Sequence, residues 1–477
     1  MPTRPIKPNG LDQMNAVDIV NTALDNAGEF SQIAPRAVKP GDVLPNGKIA
    51  SRQDSVMSLR AIGEVMMQYT PLQNAFLSNI VNRIAQVIIT SRLYENPWNM
   101  FKKGLMEFGE TVEEIFVEIA KPFQFDPETA EEKVFKRVIP DVRAAFHAMN
   151  YQKFYKVTVS NDQLRQAFLS WQGITDLISK IINTLYTGAN YDEFLVMKYM
   201  IARMALNGNI YPVTIPEVTA ENARSVTTQM VGYGSNFQFM SDQYNAAGVR
   251  TYTDPSYLYT ILTTDIAALF DVEVLALSFN MSKAELLGRQ ILVDGFGQID
   301  TVRLAEIFAD DPYTLYTPFT SDETTQLASI KALMVDESWF MIFDNLVNMT
   351  EIYNAEGLYW NYFYHVWKTF STSPFANAVM FTTTENAATT VTVTPATPTL
   401  GKGTKTQMYA SVSGTGFASQ RVHWEVSGTE TDTTITPDGQ LIIGKNETAT
   451  SVTVKATSLQ TPDISGTTVV TISGNGA

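Results

Sequence analysis

Cysteine is absent from all 477 residues, which removes disulfides, thiolate nucleophiles, cysteine zinc sites and iron–sulfur clusters together. Stability must therefore come from packing and association. Histidine is nearly as scarce: His147, His365 and His423 fall in separate segments, a poor basis for a metal site or a general base. All three are read as structural, with His365 in an aromatic strand and His423 beside Trp424 in packing contexts. Positive charge also runs short, with 34 Lys and Arg against 49 Asp and Glu and a net charge of -15. That balance repels phosphate and argues against gripping a duplex. It leaves proximity to a confined nucleic acid open, because confinement needs no tight phosphate-binding surface. No apolar run approaches the roughly 20 residues that span a bilayer. The segment from Met1 to Gly10 is polar and carries Pro2, Pro5 and Pro8, so a signal-peptide core is missing. A soluble product made in the cytoplasm is expected.

Motifs of small-molecule chemistry are missing as well. Gly232-Tyr233-Gly234 and Gly295-Phe296-Gly297 lack the rest of a dinucleotide fingerprint, and no Gly-rich run ends in Gly-Lys-Ser/Thr. Both are read as turns. The carboxylates Glu113, Glu114 and Glu118, and the pair Asp310 and Asp311, have the chemistry of a cation site but are read as solvated charged faces. With no convergent polar cluster, no catalytic, cofactor or metal residue is assigned, and no enzyme class follows.

What is present is ordinary globular composition: 45% hydrophobic and 17% charged residues, in a chain long enough for two or three domains. Residues 1 to about 70 are punctuated by Pro35, Pro40, Pro45 and Gly47 and read as an extended arm. From Phe76, the spacing of Ile80, Val81, Ile84, Val87 and Ile88 predicts an amphipathic helix. Between Pro97 and Ser160 two extended arms are expected. One runs from Thr111 to Ala120, and the other ends in Phe154-Tyr155-Lys156-Val157-Thr158-Val159. Together they suggest a charged hairpin whose charges pair across subunits. Asn161 and Asp162 offer an N-cap to the longest helical pattern, interrupted at Gly188 and Asn190.

Residues 208 to about 335 read as mixed α/β, with Tyr211 to Pro216 as an edge strand because proline cannot donate to a ladder. A capping box is expected at Ser282 to Glu285, and a strand from Gln290 to Val293 before a turn at Asp294-Gly295. Aromatic residues from Trp339 to Phe381, densest from Tyr359 to Trp367, predict long sheet strands packed for core or intersubunit contact. After Thr382-Thr383-Thr384 the composition turns to Thr, Ser, Gly and Val. Short alternating strands then predict a small β-sandwich with Trp424 at its centre, joined to the rest by few contacts and dispensable for assembly.

Several motifs carry a resemblance. Phe101-Lys102-Lys103-Gly104, Thr111-Val112-Glu113-Glu114-Ile115, Glu132-Lys133-Val134-Phe135 and Gln166-Ala167-Phe168-Leu169-Ser170-Trp171 resemble the major capsid proteins of phi-29-like podoviruses. So do Val293-Asp294-Gly295-Phe296, the run from Trp339 to Leu346, and the run from Gly357 to Trp367. The likeness spans nearly everything from about residue 75, departing most over 208 to 255. The tail is similar to bacterial Ig-like group 2 domains through Val391 to Pro395, Val422-His423-Trp424-Glu425-Val426 and Ile435 to Leu441.

The resemblance implies an α+β Hong Kong 97-type capsid fold plus an all-β Ig-like sandwich. Its parts would be an N-arm over about 1–95, an E-loop over about 97–160, a spine helix over about 161–207, an axial domain over about 208–335 and a peripheral sheet over about 336–381. The Ig-like domain would occupy 386–477. The same resemblance implies a non-enzymatic shell subunit of a tailed double-stranded DNA bacteriophage, forming hexamers and pentamers. Its partners would be a scaffolding protein, a portal at one vertex and packaged DNA held without sequence-specific binding. A phage or bacterial surface adhesin built on the same Ig-like tail is the alternative, and an enzyme with a carboxylate-only site is a third.

Overall fold

The computed structural model describes residues 36–68, 94–106, 111–120, 122, 142–168, 173–270, 289–309 and 316–474, together with positions 17, 20, 21, 24 and 25. The helix expected from Phe76, the motif at Glu132 to Phe135, Trp171, the capping box at Ser282 to Glu285, and Asp310 and Asp311 lie outside the described residues.

The segment read as an extended arm contains a 17-residue helix, α1 (Arg52–Gln68). Its start is fixed by a reciprocal cap: the Asp54 amide donates to Ser51 Oγ while the Ser51 amide donates to Asp54 Oδ2 at 2.8 Å. Leu59 and Ile62 then bury one stripe against Val159, Leu164 and Phe168. The chain continues through β1 (Lys102–Leu105), β2 (Val112–Val117), β3 (Val142–His147) and β4 (Tyr151–Ser160). Only β2 and β3 form a free ribbon, because β1 and β4 enter the main sheet. The second expected arm is therefore a sheet strand.

Helix α2 (Asn161–Ala167) is capped by Ser160, one residue earlier than the sequence suggested, in a box with Gln163. Helix α3 (Gly173–Leu206) runs 34 residues straight through Gly188 and Asn190. Burial of Leu185, Ala189 and Leu195 on either side overrides the local propensity that predicted a break. It ends at Gly208, whose φ of +70° suits the left-handed residue after a helix. There the Gly208 amide reaches Ala205 O at 3.0 Å and the Asn209 amide reaches Met204 O at 3.0 Å.

Next come β5 (Tyr211–Thr214), α4 (Ala223–Asn236), β6 (Leu258–Thr263), α5 (Thr264–Leu269), β7 (Arg289–Val293), α6 (Thr301–Ile307), α7 (Ser321–Ala328) and β8 (Ile330–Asp336). Gly232-Tyr233-Gly234 lies inside α4 and is no turn; Gly234 lets the helix settle on Leu258 and Met334. Strands β9 (Phe340–Asn354) and β10 (Tyr359–Thr372) are the longest, and β11 (Ala378–Thr382) follows. One sheet has the order β1-β9-β10-β4 and the other β5-β11-β8-β6-β7. Pro212 sits on edge strand β5 as expected. Strand β11 belongs to the second sheet, although its sequence reads as part of the first.

The tail supplies β12 (Ala387–Thr394), β13 (Thr399–Gly401), β14 (Lys405–Gln407), β15 (Tyr409–Thr415), β16 (Val422–Ser427), β17 (Thr434–Ile435), β18 (Gln440–Ile442), β19 (Ser451–Ser458) and β20 (Ser465–Ser473). Inward residues alternate along β19, where Val452, Val454 and Ala456 are buried. They pack with Trp424, Leu441 and Val470 into a core of their own. Contacts nonetheless cross from tail to body. Phe417 lies in the body's main core, Asn386 Nδ2 donates to Thr214 Oγ1 at 3.0 Å, and the Gln420 amide donates to Gly208 O at 3.1 Å. Among these few contacts one was not announced by the tail's sequence: an aromatic side chain on one of its loops completes the body's core.

Candidate functional site

A two-stranded ribbon has two faces, and here they differ in chemistry. Directly opposed residues of an antiparallel pair share a face. Val112 opposite His147, Glu114 opposite Ala145, and Phe116 opposite Arg143 form the face turned to the body. Glu114 Oε1 accepts from Ser373 Oγ at 2.7 Å, and its Oε2 lies 3.3 Å from His147 Nε2. The other ring nitrogen of His147 is 2.7 Å from Ser371 Oγ. Phe116 stacks on Phe375 with centroids 5.7 Å apart, and Arg143 Nη1 donates to Ala247 O at 2.8 Å. This face is anchored within the subunit.

The opposite face pairs Glu113 with Phe146, Ile115 with Ala144 and Val117 with Val142. Phe146 is 67% exposed and Ile115 58%, with Val117 and Val142 similarly bare. A ridge of large apolar side chains held in water on a fixed ribbon marks a contact surface. Apart from Glu113 the paired residues of this exposed face are all apolar, so the chemistry it offers is association.

Beneath the ribbon's root the body consumes its own charges. Lys368 Nζ contacts Glu193 and lies 2.5 Å from Asp344 Oδ1; Lys102 Nζ lies 2.7 Å from Asp344 Oδ2 and 3.5 Å from Glu193. Asn96 Nδ2 adds a donor to Glu193 at 2.7 Å. Burial alone would favour the neutral forms. The opposed charges more than offset it, holding the Asp344 carboxyl below its usual range and the Lys102 ammonium above its own. Removing one member strands a buried charge, at a cost of about 3–5 kcal/mol. A second lock joins α3 to α6: Arg303 grips buried Asp192 at 2.8 and 2.9 Å, and the Tyr155 hydroxyl donates to the same carboxylate at 2.8 Å.

The residues singled out by sequence do not converge. Glu113 and Glu114 take opposite faces, so the expectation that the hairpin's charges pair only between subunits fails at Glu114. Glu118 is half-buried beyond the end of β2. Among the described residues, no three His, Asp or Glu side chains gather as a cation site. His365 packs against Phe363 and Phe154, whereas His423 is exposed beside Glu425 and is no packing residue. Lys368 and Glu193 were missed, yet the signal for Lys368 is in the sequence. It takes the inward place in the alternation Trp360, Tyr362, Tyr364, Val366, Lys368, Phe370, all of them buried. No helix among the described residues is long and apolar enough to cross a membrane.

Comparison with known proteins gives consistent results. The model of the Phi29-like phage major capsid protein family matches residues 46–382. The chain is similar to the major capsid protein of Bacillus phage B103, 36% identical over 402 residues covering 83% of each chain. It is 35% identical to that of Bacillus phage PZA over 426 residues, 87% of this chain and 88% of the relative. Among solved structures, the capsid structure of Staphylococcus phage Andhra resembles it with a TM-score of 0.47 and 17% identity, over 62% of this chain and 86% of that one.

Proposed function

The chain belongs to the Phi29-like phage major capsid protein family, and from that premise we propose that its β2–β3 ribbon is the arm by which each subunit clasps its neighbour in the shell. The chain is a major capsid protein of tailed bacteriophages. Its body is a Hong Kong 97-type subunit, with the ribbon as E-loop, α3 as spine helix and the β9–β10 sheet as the peripheral part. Residues 386–477 form the Ig-like domain, and the role is structural, with no catalysis. Assembly takes place in the host cytoplasm, with a scaffolding protein, a portal at one vertex and DNA confined inside. The acidic balance suits a container that encloses DNA without gripping it.

One observation carries this reading: a ribbon bolted to its own subunit on one face and presenting Ile115, Val117, Val142 and Phe146 on the other. Replacing Ile115 and Phe146 by Ser removes the two most exposed members of that ridge while leaving every contact of the inner face. Folding stability should change by no more than about 0.5 kcal/mol, since surface substitutions seldom do more. Co-expressed with the scaffolding protein, the unaltered chain should give closed shells by negative-stain microscopy and the double variant free capsomers. Normal shells from the variant would sink the proposal.

A further inference from the structure

Residues 241–250 form a closed loop on the body. The Ser241 and Thr251 amides exchange hydrogen bonds with each other's carbonyls at 3.0 and 3.1 Å. Inside the loop, buried Asn245 accepts from the Val249 amide at 2.9 Å and donates to Val249 O at 2.7 Å. The loop is tied to the end of β10 and the start of β11 by the Ala247 amide on Pro374 O and the Ala378 amide on Tyr244 O, both at 2.8 Å. It is therefore a stiff ledge.

Two other parts of the chain grip this ledge from different sides. From the ribbon, Arg143 donates to Ala247 O at 2.8 Å. From the tail, Arg421 Nη2 donates to Asp242 O at 3.0 Å. The Arg421 guanidinium lies so close over Gly248 that a Cβ there would sit 1.7 Å from its Nη1. Both arginines line one cavity of about 350 Å³ with Gly208, Ala247 and Trp424. Burial lowers the Arg421 pKa and the charge of Arg143 lowers it further, against the pull of Asp242, so the two cations sense one another. The tail cannot drift while this grip holds, because four residues before Arg421 the side chain of Phe417, 1% exposed, is plugged into the body core.

We infer that the tail is an intramolecular brace for the clasping ribbon: docked through Phe417 and Arg421, it fixes the ledge on which Arg143 rests and so presets the ribbon's posture before a neighbour arrives. Coupling of this kind needs a physical element that both sites touch, and the ledge is that element. The inference rests on the ribbon being the assembly arm, but its test uses the unassembled subunit, so its failure is separate from a failure to close shells.

Hydrogen–deuterium exchange on the full chain, as free subunit, reads the coupling directly. The comparison takes the unaltered chain, Arg421→Ala and Gly248→Ala. The last of these leaves the tail's residues intact and evicts the guanidinium from the body side, with added strain from a φ of +64°. Both variants should speed exchange in the ledge and in the ribbon's 142–147 strand by about tenfold, an ordinary size for coupling between two sites, while β19 and β20 keep their protection. If Arg421→Ala loosens all sheets uniformly, Gly248→Ala decides. Ribbon protection equal to that of the unaltered chain in Gly248→Ala would overturn the proposal.

Discussion

Glu447 is enclosed in the tail and spends its charge on a loop. Its carboxylate accepts from the Thr433 hydroxyl at 2.6 Å and from the amides of Glu430, Thr448 and Ala449, each at 3.0 Å. The hydroxyl and the amides together outweigh burial and hold its pKa down at about 2. Because the folded value lies below the unfolded one of about 4.3, the contribution to stability is complete above the unfolded value. It is lost as pH falls towards the folded value. Thermal unfolding followed by Trp424 fluorescence should therefore show the tail weakening through that acid window. Glu447→Gln should be less stable near neutrality, since an amide NH₂ then faces N–H donors, and should lose most of the dependence; an unchanged acid slope would contradict the assignment. Nothing in the local sequence announces Glu447, because the Thr433 hydroxyl and the Glu430 amide reach it from another loop. Lys368 differs, because the period of β10 alone places it on the buried side and demands a partner.

At the scale of elements, the ribbon's two faces make neighbouring glutamates unequal. Glu114→Lys sets a cation in place of the carboxylate that holds Ser373 and adjoins His147. Glu113→Lys changes only the exposed face. Limited proteolysis of the free subunit should cut the Glu114→Lys ribbon on the order of tenfold faster, as a coupling of about 1.4 kcal/mol implies, and leave Glu113→Lys at the original rate. Equal rates would show that the inner-face contacts do not hold the ribbon. Strands were the legible part of the fold: β-branched and aromatic alternation marked β4, β10 and most of the tail. Helix limits were less so, since α3 ignores Gly188 and Asn190 once packing on both sides holds it. The hairpin was visible as charged and extended, but which charges turn inward depends on register, and register is set by a body that lies hundreds of residues away in sequence.

At the scale of the whole molecule, tail and body have separate cores but share Phe417. Ending the chain after Glu385 empties that slot, and by analogy with a buried Phe→Ala change the body should lose about 3–5 kcal/mol. Chemical unfolding monitored by Trp339, buried in the same core, should register the loss; equal stability would mean that the slot closes without its plug. Composition alone separates the two units at the Thr-rich segment, whereas a single aromatic residue crossing between them leaves no compositional trace. Sheet order has a further consequence, which concerns synthesis. Strand β1 pairs in parallel with β9, matching Lys102 to Ile342; β4 pairs with β10, matching Tyr155 to Tyr364; and β5 pairs in parallel with β11, matching Tyr211 to Val379. Each early strand leaves the ribosome long before its mate exists. At roughly 5–20 residues per second, the wait from β1 to β9 lasts on the order of ten seconds or more. Throughout that interval the strands β1, β4 and β5 lack the native partners with which they pair in the finished sheets. Neither of the body's two sheets can therefore close until the last quarter or so of the body has been made, whatever the early strands do in the meantime.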